Sequence, residues 1–439
     1  MAAGHSVGPG RWEAEVDRLL GRVAGRFGRV ETRRRVRGFL LGLLADLPRK
    51  NCWSIAEHAG DADPHGMQHL LGRARWDTDG VRDDLREYVI EHLGDAAAVL
   101  VVDETGDVKK GAHTVGVQRQ YTGTAGRIEN AQVGVYLAYA GRSGHAMIDR
   151  ELYLPRSWTT DPDRCAAAGV PDEVGFATKP ALATAMLVRA LDAQVPVRWV
   201  AGDEVYGADP GLRAELEARQ TGYVLAIGCD RRVPTATGPM RADTLAAGVP
   251  KRAWQKLSAG PGAKGHRRYD WALIALHPPI NGPTDQQTGP GCWWLLVRRH
   301  PRSGELAFYR CYAPTPVPLR ELVRVAGCRW RIEESFQAGK GLTGLDEHQV
   351  RRWTSWRRWT LLAMLAHALL AVLAAIERVQ APPDGLIALT CNEIRRLLST
   401  LIIEPSRVLA CPESWSQWRR RHQHRARASH YQRQATRQP

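Results

Sequence analysis

Lysine is scarce in this chain: 8 of its 61 basic residues are Lys and the remaining 53 are Arg. A GC-rich coding sequence accounts for Arg over Lys, but not for 61 basic residues against 46 acidic ones, a net charge of +15 and a pI near 9.8. Cysteine is sparse and scattered. The 8 thiols contain no CxxC pair and no His spaced to complete a zinc site. That excludes a zinc finger or a disulfide-stapled miniprotein and fits reduced thiols in a cytosolic protein. Met1 to Arg11 holds no apolar core behind a basic start, so a secretory signal is not expected. With 44% hydrophobic and 24% charged residues, wholesale disorder and collagen are excluded too.

Long apolar runs are also rare, and one stands out. Trp359 to Ile376 is 18 residues with no acid or base except His367, at the lower length limit for a membrane span. A helix buried inside a protein has the same composition. Arg351, Arg352, Arg357, Arg358 and Arg378 flank the run closely, and we read it as a packing helix, with no membrane partner expected.

What is present in excess is positive charge. Each Lys or Arg placed on a phosphate releases counterions and adds salt-dependent affinity, so nucleic acid is the first partner to test. The length of 439 residues suggests two or three domains at roughly 150 residues each. Residues 12 to 93 read as helical, with Leu19, Leu20, Val23 and Phe27 at helical spacing. Within them, Ser54 to Gly60, a polar joint and Pro64 to Arg75 resemble a helix-turn-helix, with His65, Gln68, His69 and Arg73 on the second helix. Two ordinary packed helices give the same pattern. We place a helical N-terminal DNA-binding domain at 1–94.

From Ala96 the pattern changes. Ala97 to Val102 is a nearly continuous apolar run ending in Asp103, as in a strand covered on both faces. Gln132 to Ala140 and Ala146 to Tyr153 read as a hairpin. A helix from Lys179 to Ala193 feeds a strand, Val197 to Ala201, that ends in Gly202-Asp203. Helix Pro210 to Arg219 and strand Tyr223 to Ile227 complete a strand-helix-strand unit. Hairpin strands followed by strand and helix alternation predict an α/β mixed sheet flanked by helices. The expected layout is a first α/β part at 95–228, a β-rich insertion at 229–315, a helical completion at 316–380, and a C-terminal helical region with a basic tail at 381–439. The single helix expected over Leu319 to Gly341 belongs to the completion.

Two carboxylates, Asp103 and Asp203, follow predicted neighbouring strands, at the edge where open α/β folds keep their sites. A lone Asp at a strand end is usually a turn residue; a third acid sharpens the pattern. On the helix through Arg329 to Lys340, taking Arg329 as zero, Glu333 falls at about 40° and Lys340 at about 20°, while Glu334 is turned to about 140°. Glu333, Arg329 and Lys340 thus share one face, beside Ile332 and Phe336. A surface ion-pair ladder from Arg329 to Glu333 would use the same spacing. Three carboxylates without His or Cys suit Mg²⁺, with Mn²⁺ as substitute. Two such ions about 4 Å apart serve phosphodiester transfer.

The linked motifs Asp103-Glu104-Thr105 to Gly111, Gly116 to Gly123, Gly202-Asp203-Glu204-Val205-Tyr206-Gly207 and Arg329 to Glu334 resemble the bacterial insertion-sequence transposases of the DDE type. The branch is the one whose third motif is Tyr-x2-Arg-x3-Glu-x6-Lys, and the likeness covers roughly Asp95 to Arg378. The resemblance implies an RNase H-like core with Asp103, Asp203 and Glu333 as catalytic, metal-binding triad. It implies a homodimer on double-stranded DNA that binds terminal inverted repeats, cuts at the transposon ends, often through a hairpin, and joins 3′-hydroxyls to target DNA. Arg329 and Lys340 match the motif's phosphate-gripping Arg and Lys. Lys109, Lys110 and Arg119 follow the first Asp and line the DNA channel or a solvated loop. A cytoplasmic, nucleoid-associated location goes with this reading.

The motif's Tyr falls on Ala326 here, which puts the hairpin step in doubt. A flipped base also needs an aromatic receiver, for which Trp254, Trp271, Trp293 and Trp294 stand as candidates against ordinary packing. Glu104 and Glu204, next to each Asp, would point to the opposite strand face and stay outside the triad. The rival readings are a catalytically silent DNA-binding regulator of the same ancestry and a nuclease limited to hydrolysis.

Overall fold

The computed structural model describes residues 8–262, 265–277, 291–379, 386–404 and 412–435. Helices α1 (Pro9–Val23), α2 (Val30–Leu44), α3 (Cys52–His58), α4 (His65–Gly72) and α5 (Thr78–Leu93) precede strands β1 (Val99–Val108), β2 (Gln118–Thr122), β3 (Arg127–Ala140) and β4 (His145–Leu152). Helices α6 (Arg156–Thr159), α7 (Pro162–Ala168) and α8 (Lys179–Asp192) lead to β5 (Trp199–Gly202); α9 (Glu204–Gly207) and α10 (Pro210–Ala218) lead to β6 (Gly222–Ile227). A short ribbon, β7 (Arg232–Val233) with β8 (Met240–Arg241), and α11 (Ala242–Ala247) come before β9 (Gln255–Gly262), β10 (Gly265–Leu276), β11 (Cys292–Arg299) and β12 (Leu306–Ala313). Helices α12 (Leu319–Cys328), α13 (Trp330–Thr343), α14 (Trp353–Arg378), α15 (Cys391–Leu398) and α16 (Pro412–Ala435) follow.

The chain divides into two units, one of residues 85–337 and one that joins 1–84 to 338–439. The first division falls within α5, the last helix of the region expected at 1–94, and the unit that holds α1 to α4 takes in C-terminal residues as well. The segment expected as one helical completion, 316–380, is shared between the units, with the division inside α13.

The 85–337 unit is built on one mixed sheet in the order β2-β3-β1-β5-β6-β12-β11-β10-β9, with β4 also paired to β3. β3 runs antiparallel to both β1 and β4, and β5 and β6 run parallel to β1. The order β4-β3-β1-β5-β6, three antiparallel strands and then two parallel ones reached through helices, is RNase H-like. Burial on both faces explains the apolar run: Ala98 through Val102 are fully buried. The helices between the parallel strands start where side chains satisfy free amides. Thr178 accepts from the Ala181 N–H at α8, and Asp209 from the Leu212 N–H at α10, with Pro in each first turn.

The residues of the expected insertion supply β9 to β12, and these continue the same sheet beyond β6 instead of standing apart from it. Two glycines permit close layering. A Cβ on Gly207 would lie 1.9 Å from the Ala226 carbonyl oxygen, and one on Gly327 would lie 1.9 Å from that of Ala259. Only glycine lets α9 rest on β6 and α12 on β9 at these separations. The helix expected over 319–341 is two helices, α12 and α13, with Arg329 at the joint.

The other unit packs helices around α14. That helix is long and apolar enough to cross a membrane, yet 89% of its apolar window is buried inside the protein, where α1, α2, α4 and α15 pack against it. Trp12 donates its indole N–H to Glu377 at 2.8 Å, and Phe39 meets Trp359 edge to face at 5.3 Å. The buried Arg358 guanidinium donates to the carbonyls of Leu70, Leu71 and Ala74, satisfying groups that the end of α4 leaves without helical partners.

Candidate active site

β1 and β5 pair in parallel, with Val101 opposite Ala201. Two residues further along each strand direction stand Asp103, still within β1, and Asp203, which caps α9 by accepting the Val205 N–H at 2.9 Å. Adjacent strands lie about 4.8 Å apart, so this register makes the two carboxylates neighbours at the carboxyl edge of the sheet. Asp103 is buried at 7% exposure. Burial, then the Asp203 and Glu104 charges, push its proton affinity up to about 8, with Arg329 acting against them. Burial and the Glu104 charge likewise raise Asp203.

Arg329 is the link to the third acid. Its Nη1 donates to Asp103 Oδ2 at 3.1 Å and stands 3.9 Å from Glu333 Oε1. Glu333 therefore faces Asp103 across one guanidinium group, as the helical-face arithmetic requires. Its neighbour Glu334 is turned the other way, to His145 Nε2 at 3.3 Å and Arg331 Nη1 at 2.8 Å. His145 Nδ1 also meets the Ser335 hydroxyl at 2.8 Å. These contacts at the start of β4 fix the rotation of α13 and with it the direction of Glu333. Phe336 packs on Tyr136 of β3 at 5.4 Å and anchors the same turn to the sheet. Glu334 is held down at about 2, by the hydrogen bond from His145 first and by Arg331.

Glu104 bears on the site more than its expected strand face suggested. Its carboxylate accepts from Lys179 Nζ and from the Tyr206 hydroxyl, each at 2.6 Å, and its charge acts on both aspartates. Tyr206 is buried and held far above its ordinary range by that burial and by Glu104. The Glu104 position was visible beside Asp103; Lys179, distant in sequence at the head of α8, carried no sign of this role. His145 was equally silent.

The other expected residues are more dispersed. Lys110 and Arg119 are exposed, and Lys109 lies 4.0 Å from Asp107. Lys340 lies two turns after Glu333 on α13. His65, Gln68 and His69 are exposed on α4, and exposed Arg73 caps its C-terminal end. Ala326 lies on α12, one turn before Arg329. Of the four tryptophans, Trp271 and Trp293 are buried in the sheet layer against Tyr309 and Tyr312, while Trp254 and Trp294 are half-buried.

The donor set fits a divalent cation in its chemistry. It is all oxygen, and a buried aspartate whose proton affinity rises to about 8 marks a place short of positive charge. Arg329 supplies part of that charge. Among the described residues no three His, Cys, Asp or Glu side chains stand close enough to hold one ion together; the pair is adjacent, and Glu333 joins it through Arg329.

The site is thus an RNase H-like sheet with two neighbouring carboxylates on its adjacent parallel strands β1 and β5. The sequence profile of the DDE superfamily endonucleases matches residues 22–273, and the chain belongs to that family. Glu333 lies beyond the matched stretch, so its place rests on the geometry above. Members of the family generally use divalent metal ions. The chain is similar to a probable transposase for insertion sequence element IS701 from Microchaete diplosiphon, 28% identical over 190 residues, 43% of this chain. The match spans 47% of that relative, about half its length. Among solved structures, it is similar to a piggyBac transposase in a synaptic complex with hairpin DNA, at 11% identity and a TM-score of 0.40 over 90% of this chain and 80% of that one.

Proposed function

We propose that the protein is a DNA transposase that binds the terminal inverted repeats of an insertion sequence, cuts at them and joins the freed ends to target DNA. The observation that carries this reading is the carboxylate pair Asp103 and Asp203 on adjacent parallel strands, with Glu333 brought to it across Arg329. Cleavage breaks a P–O bond at the transposon end as water attacks phosphorus, leaving a 3′-hydroxyl and a 5′-phosphate. In transfer, that hydroxyl attacks a target phosphorus, and one P–O bond forms as another breaks.

Two divalent ions, Mg²⁺ or Mn²⁺, held by Asp103, Asp203 and Glu333 would supply Lewis acidity at the attacking and leaving oxygens. The chain's own groups do the rest. Glu334, His145 and Ser335 hold α13 in rotation, so Glu333 stays aimed at the pair. Arg329, relieved of Asp103, is free to grip a phosphate oxygen next to the cut, joined by Lys340 and by Lys109, Lys110 and Arg119. Arg73, with the exposed face of α4, also meets DNA. The protein works as a homodimer on double-stranded DNA in the nucleoid-bearing cytoplasm.

The test is cleavage and strand transfer by purified protein with Mg²⁺ on the DNA flanking its own gene, beside Asp203→Ala. Wild type is expected to release 3′-hydroxyl ends and join them to a plasmid, while the variant binds without cutting. Binding without cutting by either would make the protein a silent regulator, and cutting without joining a hydrolytic nuclease.

A further inference from the structure

The last helix, α16, differs in kind from the others. Its residues 412–435 include Arg419, Arg420, Arg421, Arg425, Arg427 and Arg433 against one acid, Glu413. A helix polar all round gains little from propensity alone and needs an anchor. The anchor lies in its first three turns. Trp415 is buried and donates its indole N–H to the Asp61 carbonyl at 2.8 Å, and Arg419 pairs with Glu57 at 2.8 Å. Trp418 meets Trp53 edge to face at 4.8 Å, lies 6.2 Å from His65 and stacks on His422 at 5.2 Å. The helix is therefore docked on α3 and on the start of α4.

The residues of α16 fall into a docked sector and a charged one. Taking Trp418 as zero and about 100° per residue, His422 falls at about 40°, Trp415 at about 60° and Arg419 at about 100°. Arg427, Arg420, Arg421 and Arg425 fall at about 180°, 200°, 300° and 340°, with Gln417 and His424 between them at about 260° and 240°. Gln417, Arg420, Arg421, His424 and Arg425 line one open groove on that second face. Residues 420–429 are all exposed, and among the described residues none of the four guanidinium groups at 420, 421, 425 and 427 has a carboxylate partner. The helix is thus held by the sector from about 0° to 100° while the sector from about 180° to 340° presents uncompensated charge.

We infer that this face of α16 binds the sugar–phosphate backbone of duplex DNA. A duplex offers one negative charge per ~1.7 Å of axis, and the rise from Arg420 to Arg427 is about 10 Å, close to the ~12 Å width of a major groove. The four guanidinium groups reach backbone phosphates on either side of such a groove. The contact reads charge and spacing, not base sequence. Docking of α16 beside His65 sets this contact next to the exposed face of α4, where base-reading residues are proposed. The inference rests on the reading of the protein as a DNA transposase, but concerns a surface that the catalytic residues do not use.

The experiment is fluorescence anisotropy of a labelled random-sequence duplex with the full chain over a range of KCl, comparing wild type with two quadruple variants at 420, 421, 425 and 427. The all-Gln variant is expected to bind at least tenfold more weakly at low salt. Its slope of log affinity against log salt should fall by about 3–4, at about 0.9 per lost contact. The all-Lys variant, which keeps the charges, is expected to hold the wild-type slope. Unchanged near-ultraviolet circular dichroism of the tryptophan cluster confirms that α16 stays docked. A wild-type slope in the all-Gln variant overturns this inference and leaves the transposase reading intact. Loss of binding to RNA or to anionic vesicles, with duplex binding kept, overturns it also. Failure of wild type to bind any duplex overturns both.

Discussion

Replacing Asp103 by Asn should make the metal-free protein more stable at neutral and alkaline pH, although it removes a residue the proposed chemistry needs. The buried carboxyl group is pushed up to about 8 from an ordinary value of 3.8, by desolvation first and by Asp203 second. A folded-state value above the unfolded one means that folding favours the proton. The stability this group allows is fully present below about pH 4 and is lost as pH rises through about 8. Four pH units at about 1.4 kcal/mol each set a ceiling of about 6 kcal/mol on that loss. Asn carries no charge to desolvate but gives Arg329 a weaker partner, so we expect a gain of about 2–4 kcal/mol at pH 8 and under ~1 kcal/mol at pH 5. At roughly 2–4 °C per kcal/mol for a unit of this size, thermal melts in EDTA resolve the difference. Adding Mg²⁺ should close most of this gap at pH 8, because a ligand at 100 times its Kd stabilises wild type by about 3 kcal/mol and the variant by little. A gap that does not widen between pH 5 and pH 8, or an Asn variant less stable than wild type at pH 8 in EDTA, refutes the claim that uncompensated negative charge is crowded here.

Three further expectations follow from particular contacts. His145→Ala frees α13 to rotate and should slow single-turnover cleavage about tenfold, or ~1.4 kcal/mol, with duplex affinity unchanged in anisotropy. Glu334, held at about 2, stabilises the fold above its unfolded value near 4, and that contribution is lost as pH falls toward 2. Being partly exposed it is screened, so Glu334→Gln should flatten the acid limb of the stability curve by no more than about 1 kcal/mol, read by denaturant melts from pH 5 to 2.5. Arg358→Leu strands the buried carbonyls of Leu71 and Ala74, while Leu70 keeps the Trp76 indole N–H, and should cost about 2–4 kcal/mol in urea unfolding.

The candidate carboxylates were the most legible part of the sequence, because each follows a local pattern. Val99 to Val102 can hardly be anything but a buried strand, and a helix fixes the face of Glu333 without knowledge of what it meets. Register was not legible. Nothing local says that Val101 stands opposite Ala201, that β12 pairs with β6, or that β9 to β12 extend the main sheet. Those pairings are chosen by side chains from distant parts of the chain competing for the same edge. The bond from Arg329 to Asp103 escaped for the same reason: the spacing to Glu333 was visible, the partner 226 residues away was not. In the C-terminal region composition described Arg-rich residues well, and only the tryptophan anchor turned them into an ordered helix.

The burial of α14 has a consequence for synthesis on the ribosome. Its apolar surface is covered by α1, α2 and α4 from one end of the chain and by α15 from the other. The first helices leave the ribosome long before the partner they enclose, while the whole 85–337 unit is still to be made. During that interval they wait with bare apolar faces, and any product cut short before Trp353 leaves them permanently without their centre. Contacts this distant in sequence also close slowly. Copies of this gene terminated before α14 or deleted across it should therefore yield aggregating fragments, because α1, α2 and α4 then lack the helix they enclose.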